Sequence, residues 1–592
     1  MQKDKMTRTA LISAIIALLL NSISRAADPT TPRDTFPDTW SATDALNCRL
    51  PSSSETGPPR ANRYVAMFYF LWLDAAEKNG PFDISKILAA DPAAVHQTTS
   101  PPWGPLHAMH HWGEPLFGYY QSDDPWVLRK HAQMLSDAGV DVIIFDTSNR
   151  VTYRRNYSAL IDVFTQIRRE GGHTPQIAFL TPFGDPRATV HELYEQLYSK
   201  HQGEDLWFRW EGKPLILANP ARVDAAEQKF FTFRRPQPDY FQGPTAPDMW
   251  SWLEVYPQHV FKNSRGEKEQ MSVGVAQNAV NGRLGSMSEP NSQGRSFHAG
   301  KVPEKIDPAQ GYNFAEQWER AIKEDPQIIF VTGWNEWVAG RFNEFNKIKT
   351  PPMFVDEFDA EHSRDIEPMK GGFGDNYYYQ LASYIRRFKG ARPLPAPSPA
   401  KTIHFTDSFD QWQSVTPEYR DDLFDTAHRD HPGFAHAGPY KNTSGRNDLD
   451  VMKVARDADN IYFYIRTREP ITQPTGDNWM TLLIDIDRNH KTGWEGYDFI
   501  INRNRKDAST CSIEKNKGGW QWESAGDISM TWHGNELHVA IPRKLLSQNA
   551  NADKLNLEFK WTDNVPGSDE ILEFIDKGDV APNGRFNYVF QE

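Results

Sequence analysis

The stretch DPWVLRKHAQMLSDAGVDVIIFD (residues 124–146) joins a helical pattern directly to a strand pattern. Its first part places Val127, His131, Met134 and Ala138 at helical spacing. Its second part, VDVIIFD, is a short apolar run that ends on an acid. A helix that leads at once into such a run is typical of the α/β class, in which parallel strands are covered by helices.

The same alternation recurs between residues 63 and 390. Eight parallel strands with helices between them predict a (β/α)8 TIM-like barrel. A doubly wound open sheet is the alternative, although no phosphate-binding glycine pattern follows the first run. The eight candidate strands are residues 64–72, 140–146, 176–180, 214–217, 230–233, 249–254, 272–276 and 328–332.

A Pro-rich segment, ARPLPAPSPAK (391–401), predicts a stiff, extended spacer. Beyond it the apolar period becomes two, as at Ile461, Phe463 and Ile465, and Gly534-Asn535 supplies a turn signal. This pattern predicts a C-terminal antiparallel β-sandwich domain. The predicted divisions are a signal peptide (1–26), an N-terminal extension (27–62), the barrel (63–390), the spacer (391–401) and the sandwich (402–592).

Composition limits the classes of partner. The 592 residues carry a net charge of −13, which argues against nucleic acid and favours neutral polymers, and the 19 Trp suit sugar-binding surfaces.

Residues 1–26 have a basic start, a short apolar run and a small-x-small end, so we expect a secreted or periplasmic protein without a membrane span. Cys48 and Cys511 are compatible with one disulfide or with two free thiols. The oligomeric state is left open.

Three acids end predicted strands or follow them closely: Asp146, Glu254 and Glu336. In a barrel of this kind the active site lies at the carboxyl ends of the strands. Hydrolysis of a glycosidic bond needs two carboxyl groups, one to protonate the leaving oxygen and one to act as base or nucleophile. The three acids are therefore catalytic candidates, with a helix N-cap as the alternative for Asp146.

Glu336 has the strongest pattern of the three because it lies in GWNEW (333–337). Packing an acid among indoles raises its pKa and prepares a proton donor. An H-x-x-H-H cluster also precedes the first clear helix, but it lacks the acid of a zinc-binding H-E-x-x-H motif and so favours contacts to sugar hydroxyls. The predicted substrate-binding residues are Trp334, Asn335, Trp337, Tyr120, His107, His111 and Tyr153.

Four segments in order resemble the family 99-like and family 71-like glycoside hydrolases. They are YYQSDDPWVLRKHAQMLSDAGVDVIIFD (119–146), WEGKPLIL (210–217), GWNEW and SRDIEPMKGGFGDNYYYQLASYIRRFKG (363–390). Resemblance to family 99 implies a (β/α)8 barrel, a retaining, endo-acting attack on α-mannosidic linkages and two glutamates in N-E-W-x-E. The first glutamate matches Glu336, but the second position is Ala339. Either another carboxyl group such as Glu254 or Asp146 has the acid role, or the mechanism differs, or the barrel only binds glycan.

Three C-terminal segments resemble carbohydrate-binding module family 9-like domains. They are GRNDLDVMKVARDADNIYFYIRT (445–467), LLIDIDRNHKTGWEGYDFIINR (482–503) and DKGDVAPNGRFNYVF (576–590). The resemblance implies that sugar is held against Trp faces, with core packing as the alternative role for each ring. The candidates are Trp494, Trp520, Trp522 and Trp561.

Oxygen-bearing side chains at alternate positions suggest a hard cation in the same domain. Asp485, Asp487 and Asn489, with Asp498 nearby, are compatible with a structural calcium ion. The loop is not an EF-hand, and a polar hairpin turn is the alternative. No cofactor is expected for catalysis.

Two functions from different classes follow from the sequence. The first is a secreted glycoside hydrolase that acts on a polysaccharide or complex glycan through strand-end carboxylates. The second, motivated by Ala339, is a non-catalytic glycan-binding protein that keeps the barrel scaffold. An esterase is a weaker idea because no G-x-S-x-G elbow is present.

Overall fold

The computed structural model describes residues 33–74, 77–97, 102–349, 352–474, 476–546 and 554–592. The predicted signal peptide lies outside the described residues. Ten strands form one sheet in the N-terminal part of the chain, and eight of them run parallel. They are β1 (Tyr64–Tyr69), β2 (Val142–Asp146), β3 (Gln176–Leu180), β4 (Lys213–Leu217), β5 (Thr232–Gln237), β6 (Met249–Ser251), β7 (Lys268–Gly274) and β8 (Ile328–Thr332).

These strands run parallel in the order β7-β8-β1-β2-β3-β4-β5-β6. The first and last strands of this order are joined by one side chain: Nε2 of Gln270 donates to the carbonyl of Ser251 at 2.8 Å, and the amide of Ser251 donates to Oε1 of Gln270 at 3.0 Å. The sheet is therefore a nearly closed barrel. All eight predicted runs overlap a strand.

Successive side chains along each strand point to opposite faces of the sheet, and each face packs into its own apolar cluster. Ala66, Phe68, Ile144 and Phe330 belong to one buried apolar cluster, which fills the barrel. Their sequence neighbours belong to a second, larger cluster that includes the inner faces of the helices. Both faces of each strand are thus buried, which is why the strands read as continuous apolar runs.

In the described ranges, six helices of six or more residues follow the barrel strands, besides a seven-residue helix at Ile84–Ala90 between β1 and β2, but they do not follow every strand. No helix occurs between β5 and β6 or between β6 and β7, where all residues are described. Pro and Gly in PDYFQGPTAPD (238–248) disfavour a helix in the first connection. In the second connection, Phe261–Lys262 pairs antiparallel with β7. The prediction that helices lie between all eight strands is therefore wrong at these two crossovers. The helices are α1 (Pro125–Ala138), α2 (Arg154–Arg169), α3 (Arg187–Leu193), α4 (Ala225–Phe230), α5 (Tyr312–Glu324) and α6 (Asn376–Lys389).

The C-terminal part is one antiparallel sheet of eleven strands. Its ends face each other: the ring of Tyr419, at one edge, lies 5.0 Å from that of Phe559, near the other. The sheet therefore folds over on itself as a sandwich-like barrel, and Gly534-Asn535 forms the predicted hairpin turn. The strands are β9 (Tyr419–Arg420), β10 (Leu449–Arg456), β11 (Asn460–Thr467), β12 (Thr481–Asp485), β13 (Phe499–Arg505), β14 (Thr510–Asn516), β15 (Trp522–His533), β16 (Glu536–Pro542), β17 (Asn556–Asp563), β18 (Asp579–Ala581) and β19 (Tyr588–Gln591).

The two parts of the chain are in close contact. Nε of Arg429 donates to Asp124 at 2.8 Å, and Nε of Arg585 donates to Asp375 at 2.7 Å. The Pro-rich segment is extended and held at its start, where Arg392 donates to Asp38 at 2.8 Å. The predicted spacer thus packs on its neighbours over at least this part.

Two further observations concern the whole described chain. Cys48 is exposed and Cys511 is buried, and both are free thiols. None of the helices in the described ranges is long and apolar enough to cross a membrane.

Candidate active site

A cleft of about 450 Å³ opens at the carboxyl ends of the barrel strands. Its wall combines aromatic rings with four carboxyl groups, which belong to Asp146, Glu336, Glu344 and Asp356. This is the end of the barrel at which active sites occur in the fold class. The remaining lining residues are Phe68, Phe70, Trp72, Ser148, Leu180, Phe183, Tyr240, Trp252, Asn278, Leu284, Phe342, Glu344, Phe345 and Val355.

Glu336 is positioned by the loop that follows β8. The amide of Trp334 donates to the carbonyl of Phe68 at 2.9 Å. The side chain of Asn335 accepts from the amide of Phe70 at 2.9 Å and donates to its carbonyl at 3.1 Å. These bonds tie the loop to the end of β1, so Asn335 acts as a brace rather than as a substrate contact. They hold Glu336 at the cleft wall with 2% of its surface exposed.

Arg364 binds the carboxylate of Glu336 at two points. Nε donates to Oε2 at 3.0 Å and Nη2 donates to the same oxygen at 2.8 Å. Nη2 also lies 3.7 Å from Oδ1 of Asp356, whose side chain is 34% exposed. The backbone amide of Arg364 donates to Oε2 of the buried Glu357 at 2.9 Å. Nε of Arg364 also lies 3.4 Å from Oε1 of Glu357, so one guanidinium lies beside three carboxyl groups.

The charge balance of this group determines its protonation. Burial raises the pKa of Glu336 and of Glu357 well above the ordinary range, and Arg364 opposes the shift in both. One cation cannot balance three neighbouring acids, because like charges disfavour one another's ionisation. The group of Glu336, Asp356, Glu357 and Arg364 therefore retains a proton near neutral pH.

Asp146 lies at the same cleft, at the end of β2. Its Oδ1 accepts a hydrogen bond from the amide of Ser148 at 2.9 Å. Helix α2 begins only at Arg154, after Tyr153, so Asp146 is not the helix N-cap. Burial raises the pKa of Asp146 to about 6, with a contribution from Asp356. Such a carboxyl group is suited to donating a proton in mildly acidic solution.

Glu254 is not among the residues that line the cleft. It is fully buried after β6, where its Oε2 accepts from the amide of His259 at 2.5 Å. Nδ1 of His259 lies 3.2 Å from the other oxygen. Burial raises the pKa of Glu254 to about 8. The structure thus brings Asp146 to the cleft that holds Glu336 but leaves Glu254 in the barrel wall.

Several predicted sugar-binding side chains lie behind the cleft. Trp337 is buried, stacks on Trp112 at 5.0 Å and donates from Nε1 to Glu367 at 2.5 Å. Tyr120 is buried and donates to the same carboxylate at 2.7 Å. Trp334 is also fully buried. These three buried rings pack behind the cleft and support it. Two of them, Trp334 and Trp337, belong to the loop after β8 that carries Glu336.

The remaining predicted contacts divide between core and surface. His111 is buried against Tyr119, with ring centroids 4.7 Å apart, and does not line the cleft. His107 is exposed and lies 5.3 Å from the ring of Phe342, which is part of the cleft wall. Tyr153 is half-buried and accepts from Asn149 at 2.7 Å.

Sequence reasoning missed Arg364, Asp356, Tyr240 and Trp252. The two rings follow β5 and β6, and the other two residues lie in the long connection after β8. One signal was available: VDEFDAEHSRD (355–365) is a dense run of charge directly before the last helix of the barrel. Loops at this end of a barrel carry function more often than the opposite loops do.

The C-terminal Trp residues are not equivalent. Trp561 and Trp494 are buried, so neither presents an open ring face to a sugar. Trp520 and Trp522 are less buried, with ring centroids 5.5 Å apart. Of the four, only this pair retains exposed ring surface for a sugar.

The predicted calcium ligands come together in part. Carboxylate oxygens of Asp485, Asp487 and Asp498 lie within 4.8 Å of one another. The clustering and burial raise the pKa of Asp485 to about 8 and that of Asp498 to about 6. A Cβ at Gly496 would lie 3.2 Å from Asp485 Oδ2, so glycine leaves room beside this oxygen. Oδ1 of Asn489 accepts from the amide of Lys491.

Comparison with known proteins gives structural neighbours only. No family model matches the chain, and no curated protein matches it. The GH99 endo-alpha-mannosidase from Bacteroides thetaiotaomicron aligns with TM-score 0.32 and 18% identity over 56% of this chain and 98% of its own. The same enzyme in complex with bis-tris-propane aligns with TM-score 0.31 and 17% identity over 55% and 98%. Both likenesses are slight.

Proposed function

We propose that this protein is a glycoside hydrolase that cleaves a polysaccharide or complex glycan in the strand-end cleft. The observation that carries the proposal is the convergence of Asp146, Glu336 and Asp356 on one aromatic-walled cleft. Paired carboxyl groups are what glycosidic hydrolysis needs, and the rings offer faces for the C–H surfaces of sugars. A volume of about 450 Å³ suits a short stretch of glycan.

In this proposal Asp146 is the general acid. Its pKa of about 6 keeps it protonated in mildly acidic solution, so it gives its proton to the leaving oxygen as the glycosidic C–O bond breaks. Glu336 is the carboxylate that faces the anomeric carbon, with the proton of its acidic group held on Glu357, and Arg364 holds Glu336 in place. Water supplies the hydroxyl group of the new reducing end, and its second proton restores Asp146 or passes to Glu336.

Asp356 competes with Glu336 for the second role, because it is more exposed and contacts the same guanidinium. The decisive experiment compares Glu336→Gln, Asp356→Asn and Asp146→Asn on a polysaccharide panel, with and without added azide. Loss of the carboxylate that attacks the sugar is rescued by azide through a glycosyl azide product. Full turnover in Glu336→Gln contradicts the role of Glu336.

The second candidate function is glycan binding without catalysis. Ala339 favours it, because its methyl group packs in an apolar cluster with Trp103 and Phe354, so no acid stands at that position. Under this alternative the carboxylates contact sugar hydroxyls only. Tight retention of a glycan by the wild-type protein, with no product from any member of a broad panel, supports this alternative and contradicts hydrolysis.

For the C-terminal sheet we propose sugar binding at Trp520 and Trp522 together with a structural calcium ion. The fit of Asp485, Asp487 and Asp498 to a hard cation supports the second part. Calcium there would fix the loop between β12 and β13 and supply no catalytic chemistry. Asp487→Asn should bind one calcium equivalent fewer than wild type, and an unchanged number of bound calcium ions contradicts the proposal.

We also propose that the chain is exported and loses residues 1–26. The basic start and apolar run of that segment support the proposal. The N-terminal sequence of the protein recovered outside the cytoplasm tests it, and a retained Met1 contradicts cleavage.

A further inference from the structure

A second group of acids lies where helix α1 packs against the C-terminal sheet. Asp421 follows β9, Asp425 lies in the next loop, and Asp579 opens β18. One carboxylate oxygen from each of the three lies within 4.8 Å of the others. The three residues are 0%, 5% and 2% exposed. We call this group the junction triad.

Hydrogen bonding accounts for only part of the junction triad: Asp579 accepts from the backbone amides of Leu449 at 2.7 Å and of Val580 at 2.8 Å. Both carboxylate oxygens of Asp421 and Oδ1 of Asp425 are buried and accept no hydrogen bond from any described residue. Buried polar atoms in folded proteins are nearly always paired, and a buried carboxylate without a partner is costly. Such a group either binds a cation or holds a proton.

The neighbouring cationic side chains are directed elsewhere. Arg33 donates to the backbone carbonyls of Asp421 and Asp450, not to the Asp421 carboxylate. Nζ of Lys560 donates to the carbonyl of Pro582. Lys130 comes only within 3.9 Å of Oδ2 of Asp425. No side-chain cation in the described ranges therefore forms a hydrogen bond with the carboxylate of Asp421.

Further acids make the excess of negative charge larger. Asp422 and Asp448 both act on the triad, and each like charge raises the pKa of its neighbours. Nε of Arg468 neutralises Asp448 through a contact of 2.6 Å with its Oδ2. The triad itself retains three carboxyl groups, and Lys130 approaches their oxygens no closer than 3.9 Å.

We propose that the junction triad binds a divalent cation of the calcium class. All the ligand atoms are carboxylate oxygens, and neither His nor Cys is part of the group, which selects a hard ion over zinc or copper. Three aspartates can supply up to about six oxygens, which approaches the six to eight that calcium takes. The unpaired oxygens of Asp421 and Asp425 are then ligands.

The position of the triad gives the ion a structural role. Oδ2 of Asp425 accepts a hydrogen bond from Nε2 of Gln133 on α1 at 2.7 Å. An ion that fixes Asp425 therefore also fixes the contact between the barrel helix and the sheet. The cation would hold the C-terminal part of the chain against the barrel.

The test uses the full mature chain, stripped with EDTA and then dialysed against calcium chloride. Bound calcium is measured by mass spectrometry of the metal, and melting is followed with and without calcium. We expect Asp421→Asn to bind one calcium equivalent fewer than wild type and to show a calcium-dependent rise in Tm that is smaller by about 5–10 °C. In EDTA the variant should melt no lower than wild type, because one repulsive charge is gone.

Asp487→Asn serves as the matched control, since it changes the other acidic group and leaves the triad intact. It must keep the calcium equivalent that Asp421→Asn loses. If the triad instead holds protons, Asn mimics the neutral acid, and wild type and Asp421→Asn will bind equal calcium with equal rises in Tm. That result overturns the proposal.

A measurement on wild type alone covers the case in which Asp421→Asn does not fold. Calcium should slow amide hydrogen exchange in residues 419–425 and 579–581, which carry the three ligands. Unchanged exchange in both segments on addition of saturating calcium contradicts the proposal just as directly.

Discussion

Oε2 of Glu336 accepts hydrogen bonds from two nitrogens of Arg364, Nε at 3.0 Å and Nη2 at 2.8 Å. Both side chains are buried, so removal of the guanidinium leaves unpaired carboxyl groups in the protein interior. Arg364→Met should therefore lower the free energy of unfolding by about 3–5 kcal/mol and reduce turnover at least about 100-fold. Arg364→Lys keeps the charge but loses the two-point contact, so it should recover stability more than activity.

Urea unfolding and kcat on the substrate found by panel screening measure both effects. Arg235, exposed on β5, provides the matched control, since Arg235→Met should change neither quantity appreciably. Arg364→Met with wild-type unfolding and wild-type kcat would show that the contact with Glu336 has no energetic role.

The raised pKa of Asp146 predicts an alkaline limb in the pH profile. The acid form is the proton donor, so kcat/KM should fall as pH rises through about 6. Asp146→Asn should remove this limb and lower kcat by about 100- to 10,000-fold. A limb at the same pH in the variant would assign it to another group, such as the carboxyls around Arg364.

Asp146 also predicts a pH dependence of stability. Its pKa is about 6 in the folded protein against an ordinary value of 3.8, so the folded state binds more protons between these values. The stabilising contribution of protonated Asp146 to the free energy of unfolding is fully present below about pH 4 and is lost as the pH rises through 6. It amounts to about 3 kcal/mol, since one pKa unit is about 1.4 kcal/mol. Urea unfolding of wild type and Asp146→Asn at pH 4 and pH 7 measures the difference.

Glu254 should not matter for turnover, in contrast to the sequence-based expectation. Its carboxylate is held by the amide of His259 in the barrel wall. We expect Glu254→Gln to keep kcat within about threefold of wild type, whereas Glu336→Gln should lose at least about 1,000-fold. Parallel kinetics on one preparation check this, with melting curves to confirm folding. Equal losses of kcat in the two variants would show that Glu254 takes part in catalysis.

The barrel was predictable because its strands are buried on both faces. Runs such as VDVIIFD carry that information locally, and Glu336 and Asp146 were found because they follow such runs. The two crossovers without helices were not predicted, because an α/β repeat implies a helix after every strand. Local patterns thus located the strands but not every connection.

The chemistry around Glu336 was not predictable from local pattern. Arg364 lies 28 residues from Glu336 in sequence, and only the fold of the loop after β8 brings the two together. The spacing of the aromatic residues in the sequence also could not show which of them are buried and which line the cleft. Trp334 and Trp337 adjoin the acid in sequence, yet their rings turn into the core, whereas Trp252 comes from another strand end to line the cleft.

The two kinds of Trp in the C-terminal sheet should respond differently to substitution. Trp561 is buried in the main apolar cluster, so Trp561→Ala should cost about 3–5 kcal/mol of unfolding free energy through the cavity that it leaves. Trp522→Ala should cost much less and should weaken glycan binding. Affinity electrophoresis on polysaccharide gels, together with melting curves, separates these effects. Unchanged mobility of Trp522→Ala on every glycan retained by wild type would exclude this Trp as a sugar contact.

Restoring the missing acid of the N-E-W-x-E pattern should not restore a function. Ala339 is fully buried in an apolar cluster with Trp103, Met287 and Phe354, on a short strand that pairs with Met109–His111. A glutamate there has no cation within that cluster and must be desolvated, so Ala339→Glu should lose several kcal/mol of stability and gain no turnover. Ala339→Gln, of similar volume but neutral, separates the cost of charge from that of size. If Ala339→Glu folds as well as wild type and cleaves glycan faster, the site has kept the arrangement that the pattern implies, and Asp146 is then not the acid.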